Sequence, residues 1–171
     1  MVVLRPTRKL FRALPPSPSP VAVSDTALGD WYVNRLVVDR RPLLILLSAR
    51  SLLAVLTLAR DVHALPARLP RLIADRLGRL GVAERLIRAE VGAMTPVSIA
   101  PTDDRSVMGT LVDFAKVIPD CLEVGGWDET TLPFVEARLA ETPCHAARRF
   151  EEVIFPERDA PTLLAKRWHA A

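Results

Sequence analysis

Cysteine is nearly missing from the 171-residue chain, which holds only Cys121 and Cys144, in different local contexts. That excludes a disulfide framework, and no CxxC or Cys/His spacing offers a zinc site. Histidine is as sparse: His63, His145 and His169 are scattered, with no two at metal-ligand spacing. His145 follows Cys144 directly, yet neighbours on a helix point about 100° apart, which argues against a thiol–imidazole pair. The longest apolar run, residues 42–60, is short and broken by Arg50, so it does not read as a membrane span. MVVLRPTRKLFRALPP lacks the uninterrupted apolar core and cleavage site of a signal peptide. No GxSxG, GxGxxG, Walker or HExxH pattern occurs either. These gaps lead us to expect a cytoplasmic protein with no membrane partner, no metal and no cofactor.

What is present is a strongly hydrophobic chain. Half of the residues are hydrophobic, enough to bury a core without staples. Lysine occurs only at positions 9, 116 and 166, and arginine supplies the other basic side chains. With abundant alanine, leucine, valine and proline, that is the mark of a GC-rich bacterial genome, so the pI near 9.3 is weak evidence for an anionic partner. Charge is unevenly placed. Residues 1–85 carry fourteen basic and six acidic side chains, and residues 86–171 carry nine and fourteen. Such halves either pair with each other or present two different faces.

The pattern predicts a single α+β domain over 1–171. MVVLRPT reads as a strand and RKLFRAL as a turn or two of helix. Residues 15–30, rich in Pro and Ser, read as a flexible loop. WYVNRLVVD (31–39), PLLILLS (42–48) and LLAVLTLA (52–59) read as strands. Their short connections demand a small antiparallel β-meander. Strands apolar on both sides call for a sheet covered on both faces, or covered on one and paired with another chain. About four to five helices are expected to pack with it. After His63 the period becomes helical, with Leu69, Leu72, Ile73, Leu77 and Leu80 on one face and Gly81 as the stop. Residues 82–94 read as a second helix and 95–101 as a strand. A helix from about 105 is expected to end near Ile118, where Pro119 blocks it. Residues 128–141 read as another helix, and 142–171 as a less regular tail with a short final helix.

PTDDRSVMGTLVDF (101–114) is the stretch richest in reactive residue types. Asp103 or Asp104 suits the N-cap of its helix. Val107, Leu111, Phe114, Ala115 and Ile118 fall on the face that buries, while Ser106, Gly109, Thr110 and Asp113 fall opposite. Gly109 costs about 1 kcal/mol relative to alanine, so a close neighbour, backbone or ligand, is expected there. Asp104 and Asp113 stand about 13 Å apart along a continuous helix and do not share one ion. Asn34 shares a strand face with Tyr32 and needs polar partners if buried; Arg105 or Asp113 is expected to supply them. The candidate binding residues are therefore Tyr32, Asn34, Arg105, Ser106, Gly109 and Asp113.

Three segments together also resemble a known family. GDWYVNRLVVDRRPLLILLSARSLLAVL resembles its WYANLL…RR…LLFVSERTLL segment. PTDDRSVMGTLVDFAK resembles its T-x-N-R-S-V-L-G-S-M-N-D-F signature, and VLRPTRKL resembles its strand followed by C-T-x-K-L. The family is a bacterial one catalogued as domain of unknown function 6933, and the resemblance covers about residues 1–118. It implies a small cytoplasmic α+β protein and no established activity. Pro6 stands where a cysteine is usual, Val33 and Arg35 replace small and apolar residues, and Asp104 and Val112 replace two asparagines. If the family's chemistry uses those asparagines, this member binds without reacting.

Three functions fit the sequence. The first is a non-enzymatic binding or regulatory module with a pocket between the meander and the 105–118 helix; a protein partner or a second copy would meet an exposed sheet face or edge. The second is a small enzyme acting on a phosphorylated or nucleotide-like ligand through Arg105, Ser106 and Asp113. The third is a nucleic-acid binder using Arg68, Arg71, Arg79, Arg85 and Arg88, although that face lacks interleaved aromatics.

Overall fold

The computed structural model describes residues 1–14, 23–122, 126–145 and 153–168. The meander forms as its short turns require. β2 (Trp31–Val38) and β3 (Arg41–Ser48) pair antiparallel with Val38 opposite Arg41. The two turn residues, Asp39 and Arg40, both have positive φ, 49° and 64°. That conformation matches the right-handed twist of the flanking strands. β4 (Ala54–Leu58) returns antiparallel along β3. The bend before it is held by Ser48, whose Oγ accepts the N–H groups of Ser51 and Leu53.

The meander is only part of the sheet. β1 (Val2–Pro6) lies parallel to β2, and β5 (Val97–Ile99) lies parallel to β1. The order is therefore β4-β3-β2-β1-β5, a mixed sheet, with six helices among the described residues. A further two-stranded ribbon joins β6 (Cys144–His145) to β7 (Val153–Ile154).

Both faces of the sheet are covered, as apolar residues at successive strand positions demand. On one face Leu4, Trp31, Val33, Leu44, Leu46 and Val55 form one core with residues of α2 (Leu65–Arg79), α3 (Glu84–Ala93) and α6 (Pro156–Trp168). On the other, Tyr32, Leu43, Ile45, Leu47 and Leu56 form a second core with residues of α4 (Arg105–Cys121) and α5 (Leu132–Glu141). α1 (Arg8–Phe11) adds Leu10 to the first core.

Several boundaries differ from the sequence reading. α4 continues through Pro119 to Cys121. A proline in the last turn removes one backbone bond, and here it stands exposed near the helix end, where unpaired backbone groups are normal. α5 starts at Leu132, because Asp128 and Thr131 close a turn first: Asp128 N–H donates to Thr131 Oγ1 and Thr130 N–H to Asp128 Oδ1. Residues 142–171, expected to be a less regular tail, carry the ribbon and the thirteen-residue α6. Of the expected flexible loop, 15–22 lie outside the described residues. Residues 23–30 are irregular but packed, with Thr26, Ala27 and Leu28 buried.

Charge pairing between the two halves is direct. Arg5 pairs with Asp103, Arg60 with Glu129, and Arg76 and Arg79 with Glu136. The last set seals the outer edge of β4. Glu136 Oε1 accepts the Leu56 N–H at 2.8 Å, and Arg76 Nε donates to the Ala54 carbonyl at 3.2 Å. Side chains from two helices thus take the ladder positions that another strand would occupy.

Candidate functional site

A cleft of about 250 Å³ opens where β2 begins, α4 begins and the β3–β4 bend passes, and it is lined by Ser24, Gly29, Asp30, Tyr32, Arg50 and Asp103 together with their neighbours. The charged groups arrive from three different segments. Asp30 precedes β2, Asp103 and Asp104 precede α4, and Arg50 sits on the bend.

The carboxylates are fixed from beneath. Arg5, near the end of β1, donates from Nε to Asp30 Oδ2 at 2.5 Å and from Nη1 to the Pro101 carbonyl at 2.6 Å, and its Nη2 lies 3.0 Å from Asp103 Oδ2. Ser24 donates from Oγ to Asp30 Oδ1 at 2.5 Å and accepts the Val3 N–H at 2.9 Å. Tyr32 donates its hydroxyl to Asp103 Oδ1 at 2.5 Å and accepts the Asp104 N–H at 3.1 Å. Asp104 is the N-cap of α4, its Oδ1 taking the N–H groups of Ser106 and Val107. Tyrosine, arginine and cap together lock the turn before α4 to the sheet.

Burial raises the Tyr32 hydroxyl well above its ordinary value of 10.0, and the bond to Asp103 and that carboxylate's charge push the same way. The folded form holds the proton more tightly than the unfolded chain does, so this contribution to stability is complete below the unfolded value. It is lost as pH rises past that value toward the folded one. Tyr32 is the sole tyrosine, so ultraviolet absorbance reads it without ambiguity. We expect phenolate to appear above the ordinary tyrosine range and together with unfolding; a normal titration in the folded protein would contradict the buried bond.

The six residues singled out from sequence separate in space. Tyr32 lines the cleft. Asn34 lies two residues on, and its Oδ1 accepts from Thr7 Oγ1 and the Arg35 N–H; the expected tie from Asn34 to Arg105 or Asp113 is not formed among the described contacts. Arg105 is exposed, Ser106 is half-buried, and Asp113, 72% exposed, pairs with Lys116 one turn away. Among the described residues nothing packs against Gly109: a Cβ built there meets no atom outside its own helical turn within 4 Å. The close backbone neighbour expected of this glycine is not found among them. Gly109→Ala should therefore raise stability by about 0.5–1 kcal/mol, read in denaturant melts.

Other candidate chemistry is quiet. Burial pushes the Cys144 thiol up to about 11, its Sγ points to the Thr142 carbonyl, and His145 beside it is exposed. Among the described residues no group of three or more His, Cys, Asp or Glu is placed to hold a metal ion, and no helix is long and apolar enough to cross a membrane. The arginine face is internally engaged: Arg68 with Thr57, Arg71 with Asp75, Arg79 with Glu136 and Arg88 with Glu84. Sequence reasoning missed Arg5, Ser24, Asp30 and Arg50 as a set. The signals were faint: a charge closing an apolar strand, another interrupting the longest apolar run, and the Gly-Asp before Trp31.

The model of the family described as Domain of unknown function (DUF6933) matches residues 3–159. No curated protein matches the chain. No solved structure matches it either.

Proposed function

The chain belongs to the family of domain of unknown function 6933, and on that premise we propose that it is a non-enzymatic binding module whose ligand sits in the Tyr32–Asp103 cleft. The observation that carries this reading is the ordering of the cleft's charged groups by the protein itself. Arg5, Ser24 and Tyr32 hold Asp30 and Asp103 in place, so little conformational freedom remains for a ligand to remove.

The same bonds argue against catalysis. The Tyr32 proton is held, the Ser24 proton is committed to Asp30, and Asp30 is paired with Arg5. Among the described residues, neither cysteine nor histidine lines the cleft. A phosphorylated substrate in the cleft would meet the carboxylates of Asp103 and Asp104, which disfavours the enzyme alternative.

Amide NMR with a library of small polar fragments tests the proposal. Perturbations should gather at residues 29–32, 49–50 and 103–104, and the fragments should be recovered unchanged. Perturbations that gather instead along the β4 edge, at Leu56, Leu58 and Glu129, would move the site elsewhere.

A further inference from the structure

We infer that the cleft takes a small zwitterion, a molecule bearing an ammonium group and a carboxylate. This rests on the binding-module reading and names its ligand class. Two opposite charges share this cleft without touching. Arg50 forms no ion pair among the described residues; its Nη1 reaches only the carbonyls of Thr26 and Ala27, at 3.3 and 3.4 Å. Asp104 spends Oδ1 on the helix cap, and Asp103, whose side chain is 61% exposed, has taken one partner on each oxygen where two fit. A cation on these carboxylates and an anion on Arg50 would complete both ends.

The seat of Arg50 is itself built. Gly29 has a φ of +76°, and a Cβ there would lie 3.1 Å from Arg50 Cγ and 3.3 Å from its Nε. A Cβ there would push the stem of the exposed Arg50 aside by a few tenths of an ångström, and the positive φ itself favours glycine, so Gly29 leaves the arginine room to lie along this loop. The planar fork suits a carboxylate. A doubly charged phosphate would set two negative charges against one arginine beside three aspartates, whereas a carboxylate balances it one for one. The cation is organic, since no metal-donor group is assembled among the described residues. At about 250 Å³ the cleft admits a molecule of amino-acid size.

The test is an NMR titration of the whole chain with glycine, γ-aminobutyrate and ε-aminohexanoate, which span a range of charge separations, against n-butylamine and butyrate. At least one zwitterion should bind about tenfold more tightly than either singly charged probe, as one added charge-assisted contact predicts. Arg50→Gln, checked for folding by its melt, should bring that zwitterion down to the level of butylamine. Gly29→Ala should weaken it similarly. Butylamine binding as tightly as every zwitterion overturns the inference. If library fragments perturb the cleft and no zwitterion does, the inference falls and the binding-module reading stands. If nothing perturbs the cleft, both fall.

Discussion

Glu136→Ala should lose about 3–5 kcal/mol of stability, as expected when one partner of a buried ion pair is removed. Glu136 is 1% exposed and faces Arg76, which is 2% exposed. Their bond lengths divide the work: Glu136 holds Arg79 at 2.5 Å and the Leu56 N–H at 2.8 Å, while Arg76 Nε stands 3.6 Å away. Desolvation lowers the Arg76 pKa, and the charge of Glu136 opposes that shift. Without the carboxylate, a buried guanidinium has no counter-charge and an edge-strand N–H has no acceptor. Arg79, 39% exposed, can turn to water; Arg76 has no such route. Domains of this size have about 5–15 kcal/mol in total, so the variant should approach unfolding. Its denaturation midpoint should fall with little change in slope. The double variant Arg76→Met/Glu136→Leu should recover most of the loss, because an apolar pair can replace a buried ion pair. A loss below about 1 kcal/mol in the single variant would mean that the pair is hydrated.

Glu90→Ala should be nearly as costly, at about 3 kcal/mol, from donors left buried without acceptors. The side chain is fully buried on α3. It accepts the N–H groups of Ala27 and Leu28, at 2.8 and 3.0 Å, and the Trp168 Nε1–H at 2.8 Å. One carboxylate thereby ties the loop before β2 to α3 and to the end of α6. Glu90→Gln keeps one acceptor oxygen and turns an NH₂ toward donors, so it should sit between wild type and alanine. Hydrogen exchange gives the site-specific check: the amides of Ala27 and Leu28 should lose protection in Glu90→Ala ahead of β2 and β3. Since Gly29 and Asp30 follow directly, the cleft should loosen as well. Uniform loss of protection over the whole chain would make Glu90 a general core residue.

The elements that were legible share one property, a local signal. The switch from period two to period 3.6 after His63 gave α2, and of the five residues the spacing selects Leu69, Ile73 and Leu77 are buried and Leu72 and Leu80 half-buried. The same reasoning placed Val107, Leu111, Phe114, Ala115 and Ile118 on the buried side of α4, of which all but the half-buried Ala115 are buried, and an aspartate at its cap. The cleft was legible at Tyr32 alone. Ser106, Gly109 and Asp113 do form one stripe, but the phase of a helix fixes which residues share a side, and says nothing of whether a neighbour stands opposite.

The sequence by itself determined the succession of strands and helices as far as α5, the antiparallel meander that its short connections demand, and a sheet covered on both faces or covered on one and paired with another chain. These follow from side-chain periodicity and turn sterics, which act over a few residues. Tertiary structure decided that β1 lies between β2 and β5, and so brought Arg5 to Asp30 and Asp103. It decided also that Glu90, Glu136 and Arg76, charged residues that look solvated in a helical pattern, are buried against backbone groups 22 to 80 residues away. Such contacts depend on where the packed layers place an unpaired backbone N–H or carbonyl. No local pattern carries that information, because the partner is supplied by a different segment of the chain.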